Sequence, residues 1–363
     1  MRRQGGFSMV ELMIAITLAL LLTGAVISVF IGSRTAYQAT AGVGDLADSG
    51  RFGLNLIGES VRSAGNLACN STMSATNVSL LPVTTFPNNF GVGISGFEAT
   101  GTGPGNTIAL PATPVAGVAG NWTPALDGTI TAATPGPFGV PVQGSDVLVL
   151  YSSVPRVVPL YTTADAAAGA TTVSVTTLPA PPAPSLTATQ YAAISDCTKS
   201  MIFSVAAVAN GAPASVTLNN QLPLGFGAGA FVTPLTTTIY YIGTGSDGDS
   251  SLWRLEQVNG PGFTPPGPEE LVPDVENMQV LYGIDPAGTQ TASAYVTADQ
   301  VGAVNVVSIQ VALLVASPPG PKSPAAPPAF NMVGTPPTQV TVPADFRTRQ
   351  VFYATINLRD AVN

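Results

Sequence analysis

The chain has 363 residues, with 12 basic and 20 acidic side chains and a net charge of −8. It contains no histidine and only two cysteines, which excludes Ser-His-Asp and Cys-His catalysis, histidine metal sites and a four-cysteine zinc site. The acidic balance argues against nucleic acid as a partner, because phosphate contacts need basic side chains. Hydrolysis by a pair of carboxylates stays open, although no spacing among the acidic residues singles out such a pair.

The N-terminus combines a charged leader with a long apolar segment. Residues 1–6 read Met-Arg-Arg-Gln-Gly-Gly, and no charged residue occurs over 12–32. About 20 apolar residues cross a bilayer as a helix, so we predict a transmembrane span over 12–32. Arg2 and Arg3 would hold the N-terminus in the cytoplasm, and the rest of the chain would be exported. An ordinary secretory signal differs, because its small residues follow the apolar stretch.

The segment Gly6-Phe7-Ser8-Met9-Val10-Glu11, followed by apolar residues, resembles the type IV prepilin signature. The resemblance implies that a membrane peptidase cleaves between Gly6 and Phe7 and methylates the new amine of Phe7. The alternative is a plain signal anchor in which the Gly-Gly pair occurs by chance.

Glu11 is a single carboxylate at the edge of the apolar segment. A carboxylate at membrane depth costs about 2.5–3.5 kcal/mol and is expected to have a partner. Cleavage after Gly6 would create an α-amino group with a pKa of about 8, which is cationic at neutral pH. The amine of a neighbouring subunit fits this role better than the chain's own amine, and the resemblance assigns Glu11 the same role in assembly. Before assembly, Glu11 could instead reach the membrane interface.

The apolar helix is expected to continue past the membrane over 7–65, because no proline occurs before a stop at Gly65-Asn66. From Phe7 to Ala64 it would be about 87 Å long. Four glycines predict bending or local melting, since each costs up to about 1 kcal/mol relative to alanine: Gly42, Gly44, Gly50 and Gly53. A loose apolar face is predicted from Leu46, Phe52, Leu54, Leu56, Ile57 and Val61.

Residues 66–363 are expected to form one β-rich domain, because 38 glycines and 33 prolines suit many short strands joined by turns. The predicted strands are 146–151, 171–176, a hairpin of 238–242 with 251–255, a central strand over 305–315 and a closing strand that alternates over 352–358. Long Pro/Gly loops are predicted at 101–144, 179–184, 261–268 and 318–328. The predicted fold class is α+β and type IV pilin-like, with a long N-terminal helix packed on a large antiparallel β-rich domain.

Two further pairs of residues are candidate sites: one for a disulfide and one for calcium binding. Cys69 and Cys197 predict one disulfide, the ordinary state of two cysteines in an exported domain, worth roughly 5 kcal/mol on a chain-entropy model. The alternative is two buried free thiols. Asp247 and Asp249 offer oxygen ligands for calcium, but they lie where the hairpin needs a turn, and a tight turn is the favoured interpretation. No metal or cofactor is therefore assigned.

Several distal segments resemble PilW-family minor pilins of type IV pili. They are Arg62-Ser-Ala-Gly65 before Cys69, Ser195-Asp-Cys197, Glu276-Asn277 with Tyr282-Gly283, and Arg349 to Arg359. The chain departs from the family pattern at Asn66, where an aromatic residue is usual, and in its last four residues.

The resemblance implies a non-enzymatic minor pilin that helps to initiate pilus assembly or cap the tip. Its partners would be other minor pilins, the major pilin, the prepilin peptidase and possibly a large tip adhesin. It would lie in the inner membrane before assembly and at the pilus tip afterwards. A type II secretion pseudopilin is the close alternative. A membrane-tethered carbohydrate-binding or hydrolytic protein, in which Trp122, Trp253 and the nine tyrosines could stack on sugars, is a distant one.

Processing is directly testable. The mature chain should begin at Phe7 and carry a methylated amine, because cleavage there removes the leader and spares the apolar helix. Mass spectrometry of the chain from its native host measures both changes. An intact leader, or cleavage after Gly32, would contradict the prepilin interpretation.

Overall fold

The computed structural model describes residues 8–71, 77–81, 85–132, 139–154, 160–178, 186–258, 267–319, 328–345 and 347–358. Helix α1 spans Met9–Ser63, and a short helix α2 spans Gly128–Ala132. Two 3-10 helices lie at Ala119–Asn121 and Ala298–Gln300. The strands are β1 (Asn66–Leu67), β2 (Asn70–Ser71), β3 (Asn77–Ser79), β4 (Ile94–Ala99), β5 (Thr107–Ala109), β6 (Trp122–Thr123), β7 (Val147–Ser153), β8 (Leu160–Tyr161), β9 (Thr172–Val175), β10 (Tyr191–Ser195), β11 (Ser200–Ala209), β12 (Ala214–Leu218), β13 (Phe231–Thr244), β14 (Ser250–Val258), β15 (Glu269–Pro273), β16 (Val275–Asp285), β17 (Ala294–Val296), β18 (Asn305–Ala316), β19 (Phe330–Gly334), β20 (Pro337–Thr341) and β21 (Arg349–Asn357).

The strands form two principal sheets. A 12-stranded sheet follows the order β6-β4-β7-β13-β10-β11-β12-β9, with β14, β15, β3 and β8 attached beside this path. A 4-stranded sheet follows the order β17-β16-β18-β21, and a 3-stranded sheet, β19-β20-β5, lies beside it. Among the described strand pairs, β3 with β11 and β5 with β20 are parallel, and the others are antiparallel. The long helix with a large antiparallel β-rich domain confirms the predicted α+β fold class.

The main core joins α1 to both principal sheets. Ile57 and Val61 of α1 pack in one cluster with Leu313 of β18, Ile356 of β21 and Leu148 of β7. Separate clusters fill the opposite face of the 12-stranded sheet, its outer half around β9 to β12, and the space between the 4-stranded sheet and β19 and β20. Because α1 contributes to the central cluster, its second half is part of the domain and its first half projects from it.

Two glycines set how closely α1 approaches the 4-stranded sheet. A Cβ atom at Gly50 would lie 2.3 Å from the ring of Phe352 in β21, and one at Gly53 would lie 3.1 Å from Leu313. The helix is continuous through both positions, so the predicted local melting at the glycines is wrong. Gly50 and Gly53 are instead small residues on the packed face of the helix.

The other sequence predictions agree with the structure in large part. Strands lie at all five predicted places, and β18 lies between β16 and β21 as a central strand. The predicted helical face includes Phe52, but its side chain is 53% exposed, so that assignment is wrong. The predicted loop over 101–144 contains β5, β6 and α2. Most of the loops predicted at 179–184, 261–268 and 318–328 lie outside the described residues.

Replacing Gly50 with alanine should lower the melting temperature of the full chain in detergent. Overpacking a core costs about 1–3 kcal/mol, which exceeds the gain in helix propensity of up to about 1 kcal/mol. Gly44→Ala is the matched control, because no atom lies within 4 Å of a Cβ at that position, and it should raise the melting temperature slightly. Circular dichroism measures both, and equal stabilisation by the two variants would contradict the packing role of Gly50.

Candidate functional site

The first half of α1 is an apolar surface without a partner inside the chain. Every described residue from Ser8 to Arg34 is exposed, including Leu21 at 71% and Phe30 at 65%. The helix is long and apolar enough to cross a membrane. Water does not stabilise such a surface, so this half of α1 requires lipid or other apolar helices around it.

Glu11 lies in the first turn of α1 and is the only charged residue between Ser8 and Gly32. A carboxylate at a helix N-terminus interacts favourably with the helix dipole. Gly6 and Phe7 lie outside the described residues, so the positions of cleavage and methylation stay predictions, as does the assembly role of Glu11.

The C-terminal end of α1 is held to the domain by local contacts and a disulfide. Gly65 has a φ of 81°, which ends the helix, and its N–H donates to the Tyr151 carbonyl at 2.7 Å. The hydroxyls of Ser60 and Tyr240 are hydrogen-bonded at 2.7 Å. Cys69 and Cys197 form the predicted disulfide, with their Cα atoms 4.8 Å apart. It ties the segment after α1 to the turn between β10 and β11.

The segments that resemble the PilW family contact one another in the structure. Arg349 of β21 donates to both carboxylate oxygens of Glu276 in β16, at 2.6 and 2.8 Å, and also to Asp345. The Arg349 side chain is only 3% exposed. Bidentate arginine–carboxylate pairs of this kind restrict geometry as well as adding energy. The pair therefore links β16 to β21 across the intervening strand β18.

The candidate calcium ligands Asp247 and Asp249 lie in a tight turn. The Asp249 N–H donates to the Asp247 carboxylate at 2.9 Å, and Gly248 has a φ of 92°, within the loop between β13 and β14. Asp274 lies beside them, and the three carboxylates could by distance hold a metal ion. However, the Arg347 guanidinium pairs with Asp249 and with Asp274, at 2.8 Å from the latter. The arginine supplies the positive charge of this cluster, and we assign it no metal.

A buried carboxyl pair, Glu98 and Asp146, was not recognised from the sequence. The Asp146 carboxylate accepts from the Ala99 N–H at 2.9 Å and from the Val280 N–H at 2.8 Å, so it joins β4 of the large sheet to β16 of the small one. Glu98 accepts from the Thr102 hydroxyl at 3.2 Å. The signal in the sequence was weak: an aspartate directly before the apolar run of β7.

Both carboxyl groups hold protons more tightly than usual. Burial raises the pKa of Glu98 to about 9, and the nearby Asp146 and Asp299 charges act in the same direction. Burial raises the pKa of Asp146 to about 7, although the hydrogen bonds from Ala99 and Val280 oppose the change. Two carboxyl groups that are buried close together keep at least one proton at neutral pH.

Trp122 and Trp253, the candidate sugar-stacking residues, are both buried, at 2% and 7% exposure. The Trp122 indole N–H donates to the Ser145 carbonyl at 2.9 Å. Neither side chain presents an aromatic face to a ligand in solution.

Two family models match the chain. Residues 1–27 match the prokaryotic N-terminal methylation motif, which is the motif of prepilin-type subunits inferred above. Residues 239–360 match PilW, the type IV pilus-assembly protein W. The second match includes both β16 and β21 and therefore the Glu276–Arg349 pair. The two matches confirm the resemblance to PilW-family type IV minor pilins. Comparisons with curated proteins and with solved structures gave no significant match.

Stability should fall as pH rises from about 4.5 to about 9. The unfolded chain loses the Glu98 proton near the ordinary glutamate pKa of 4.5, whereas the folded chain keeps it until the pH reaches about 9. The folded state therefore binds more protons in this interval, with a slope of at most about 1.4 kcal/mol per pH unit for one proton.

Glu98→Gln should remove this contribution, so that the variant is more stable than the wild type at pH 8 and about equal to it at pH 4. Urea unfolding of the detergent-solubilised chain at several pH values measures the difference. Glu59→Gln, at an exposed position of α1, is the control. A Glu98→Gln difference that does not change with pH would contradict the buried proton.

Proposed function

We propose that this chain is a minor pilin that acts when a type IV pilus is initiated and that stays in the tip complex. The observation that carries the proposal is the bare apolar half of α1, which bears one carboxylate and the methylation motif. Such a helix has two suitable environments: the inner membrane before assembly and a bundle of similar helices afterwards. The match to PilW supports a minor pilin over a type II secretion pseudopilin.

The size of the domain supports a place at the end of a filament. A shaft subunit repeats at a fixed spacing and packs against neighbours on every side, which favours a compact domain. Within the described part of residues 66–358 the structure has 21 strands, 19 of them in the three larger sheets, and the sequence predicts several long Pro/Gly loops. A tip subunit has no neighbour beyond its distal face, so a large domain is tolerated there. Other minor pilins, the major pilin and the prepilin peptidase are the proposed partners, and a larger adhesin is a further one.

Copy number is the test of this position. Quantitative mass spectrometry of purified pili should find this chain at a small fraction of the major subunit. Deletion of the gene should reduce the number of pili while the remaining filaments keep their usual composition. A stoichiometry close to that of the major subunit would refute the tip assignment. Absence from pili together with a defect in protein secretion would favour the pseudopilin alternative.

Glu11→Ala should still insert in the membrane and be cleaved, because the loss of a charge makes insertion easier. Its recovery in sheared pili should fall by about tenfold, equivalent to about 1.4 kcal/mol, because the amine of the neighbouring subunit loses its partner. Glu59→Ala, which lies outside the apolar half, should be recovered normally. Wild-type recovery of the Glu11 variant would show that the carboxylate is dispensable.

A further inference from the structure

Several oxygen atoms converge at the buried carboxyl pair Glu98 and Asp146. The hydroxyl oxygen of Thr102 lies 3.2 Å from Glu98 Oε1 and 3.5 Å from Asp146 Oδ1. The same hydroxyl lies 2.7 Å from the Ala99 carbonyl oxygen. A hydroxyl has one hydrogen, so Thr102 cannot donate fully to all three acceptors at once. This group of atoms therefore has more acceptor oxygens than hydrogens to share among them.

One carboxylate oxygen of Glu98 has no partner at all. The Glu98 residue is only 7% exposed, and its Oε2 atom is buried without a hydrogen bond. Among the described residues, the ion pairs involve neither Glu98 nor Asp146. A buried carboxylate oxygen is costly when it has lost its water and gained no donor. The pair therefore lacks a positive charge that the described side chains do not supply.

A third carboxylate connects this pair to the surface. Burial is the main cause of the raised pKa values of Glu98 and Asp146, and the charge of Asp299 acts in the same direction on both. Asp299 belongs to the 3-10 helix Ala298–Gln300 and is exposed. Gly103 leaves space beside Glu98, since a Cβ atom there would lie 3.8 Å from Oε1. An ion could therefore reach the pair from the side of Asp299.

The geometry favours a cation over a proton as the missing charge. A single proton on Oε1 of Glu98 would still leave Oε2 without a partner. Calcium often binds both oxygens of one carboxylate, at about 2.3–2.6 Å. Two ligands at that distance and at right angles to each other lie about 3.4 Å apart. The Thr102 hydroxyl lies 3.2 Å and 3.5 Å from the two carboxylates, which matches the spacing of ligands around one calcium ion.

We propose that Glu98, Asp146 and Asp299 bind a calcium ion, with the Thr102 hydroxyl as a further oxygen ligand. The ion would join β4 to the 3-10 helix and to the residue directly before β7. Asp146 also accepts from the Val280 N–H of β16, so the ion would strengthen the junction between the two principal sheets. Magnesium fits less well, because it requires near-ideal octahedral geometry and keeps several waters.

Thermal unfolding with calcium tests the site. The full chain in detergent is first freed of metal with EDTA and then titrated with calcium at about pH 8. Its melting temperature should rise by about 3–8 °C once free calcium reaches about one hundred times the Kd. Magnesium at the same concentration should give a smaller rise. A melting temperature that calcium does not change would overturn the proposal.

Two variants locate the ion. Glu98→Gln should lose the rise in melting temperature, because it removes the carboxylate that lacks a partner. Asp247→Asn is the matched control, because Asp247 belongs to the other group of neighbouring carboxylates, with Asp249 and Asp274. It should keep the full rise. A rise that survives Glu98→Gln, or one that Asp247→Asn abolishes, would place the ion elsewhere and overturn the proposal.

A variant at the surface keeps the test valid if Glu98→Gln does not fold. Asp299→Asn, at an exposed position, should melt like the wild type in EDTA. It should need about tenfold more calcium for the same rise in melting temperature, since one charged ligand is lost. An unchanged calcium requirement would exclude Asp299 from the site and overturn the proposal as stated.

Terbium luminescence gives a second measurement at the same position. Terbium occupies calcium sites, and its emission is sensitised by nearby aromatic side chains. Trp122 of β6 pairs with Ala99, next to Glu98. Sensitised emission should therefore appear in the wild type, fall when calcium is added and be lost in Glu98→Gln. Equal emission from both proteins would overturn the proposal. These measurements use the solubilised chain, so their failure would leave the proposed function intact, whereas absence from pili would refute only the proposed function.

Discussion

The structure depends on one helix that must satisfy two environments. The first half of α1 is apolar on all sides and suits lipid or other helices, whereas the second half must pack against a sheet. Gly50 and Gly53 make this possible, because their missing side chains leave room for Phe352 and Leu313. This close contact with the sheet makes the second half of α1 part of the core, so the apolar first half extends from a helix that is packed in the domain.

The two principal sheets depend on polar groups that are satisfied across the gap between them. Asp146 accepts from amides of β4 and β16, and the side chain of Asn277 donates to the Gly144 carbonyl at 2.7 Å. Unpaired buried groups of this kind would cost about 1–3 kcal/mol each, so the contacts specify how the sheets meet. The Glu276–Arg349 pair specifies the small sheet in the same way.

The errors of the sequence predictions have one physical origin. The glycines of α1 were predicted to weaken the helix because glycine has a low helix propensity. At Gly50 the close packing against the sheet decides the role of the residue instead, since tertiary packing overrides propensity. Phe52 was assigned to the core by hydrophobicity, yet the helix phase that buries Ile57 and Val61 leaves it exposed. Both errors concern which side of α1 faces a sheet that is distant in sequence.

The amino-acid sequence by itself determined the features that depend on local order. These are the leader, the apolar helix with Glu11, the end of the helix at Gly65, the β-rich character of the remainder and the pairing of the only two cysteines. Each follows from hydrophobic pattern, composition or residue count. Only the tertiary structure decided that Glu98 and Asp146 share one buried site and that Glu276 meets Arg349. These depend on contacts between residues far apart in the chain, and strand order, which no local pattern encodes, brings them together.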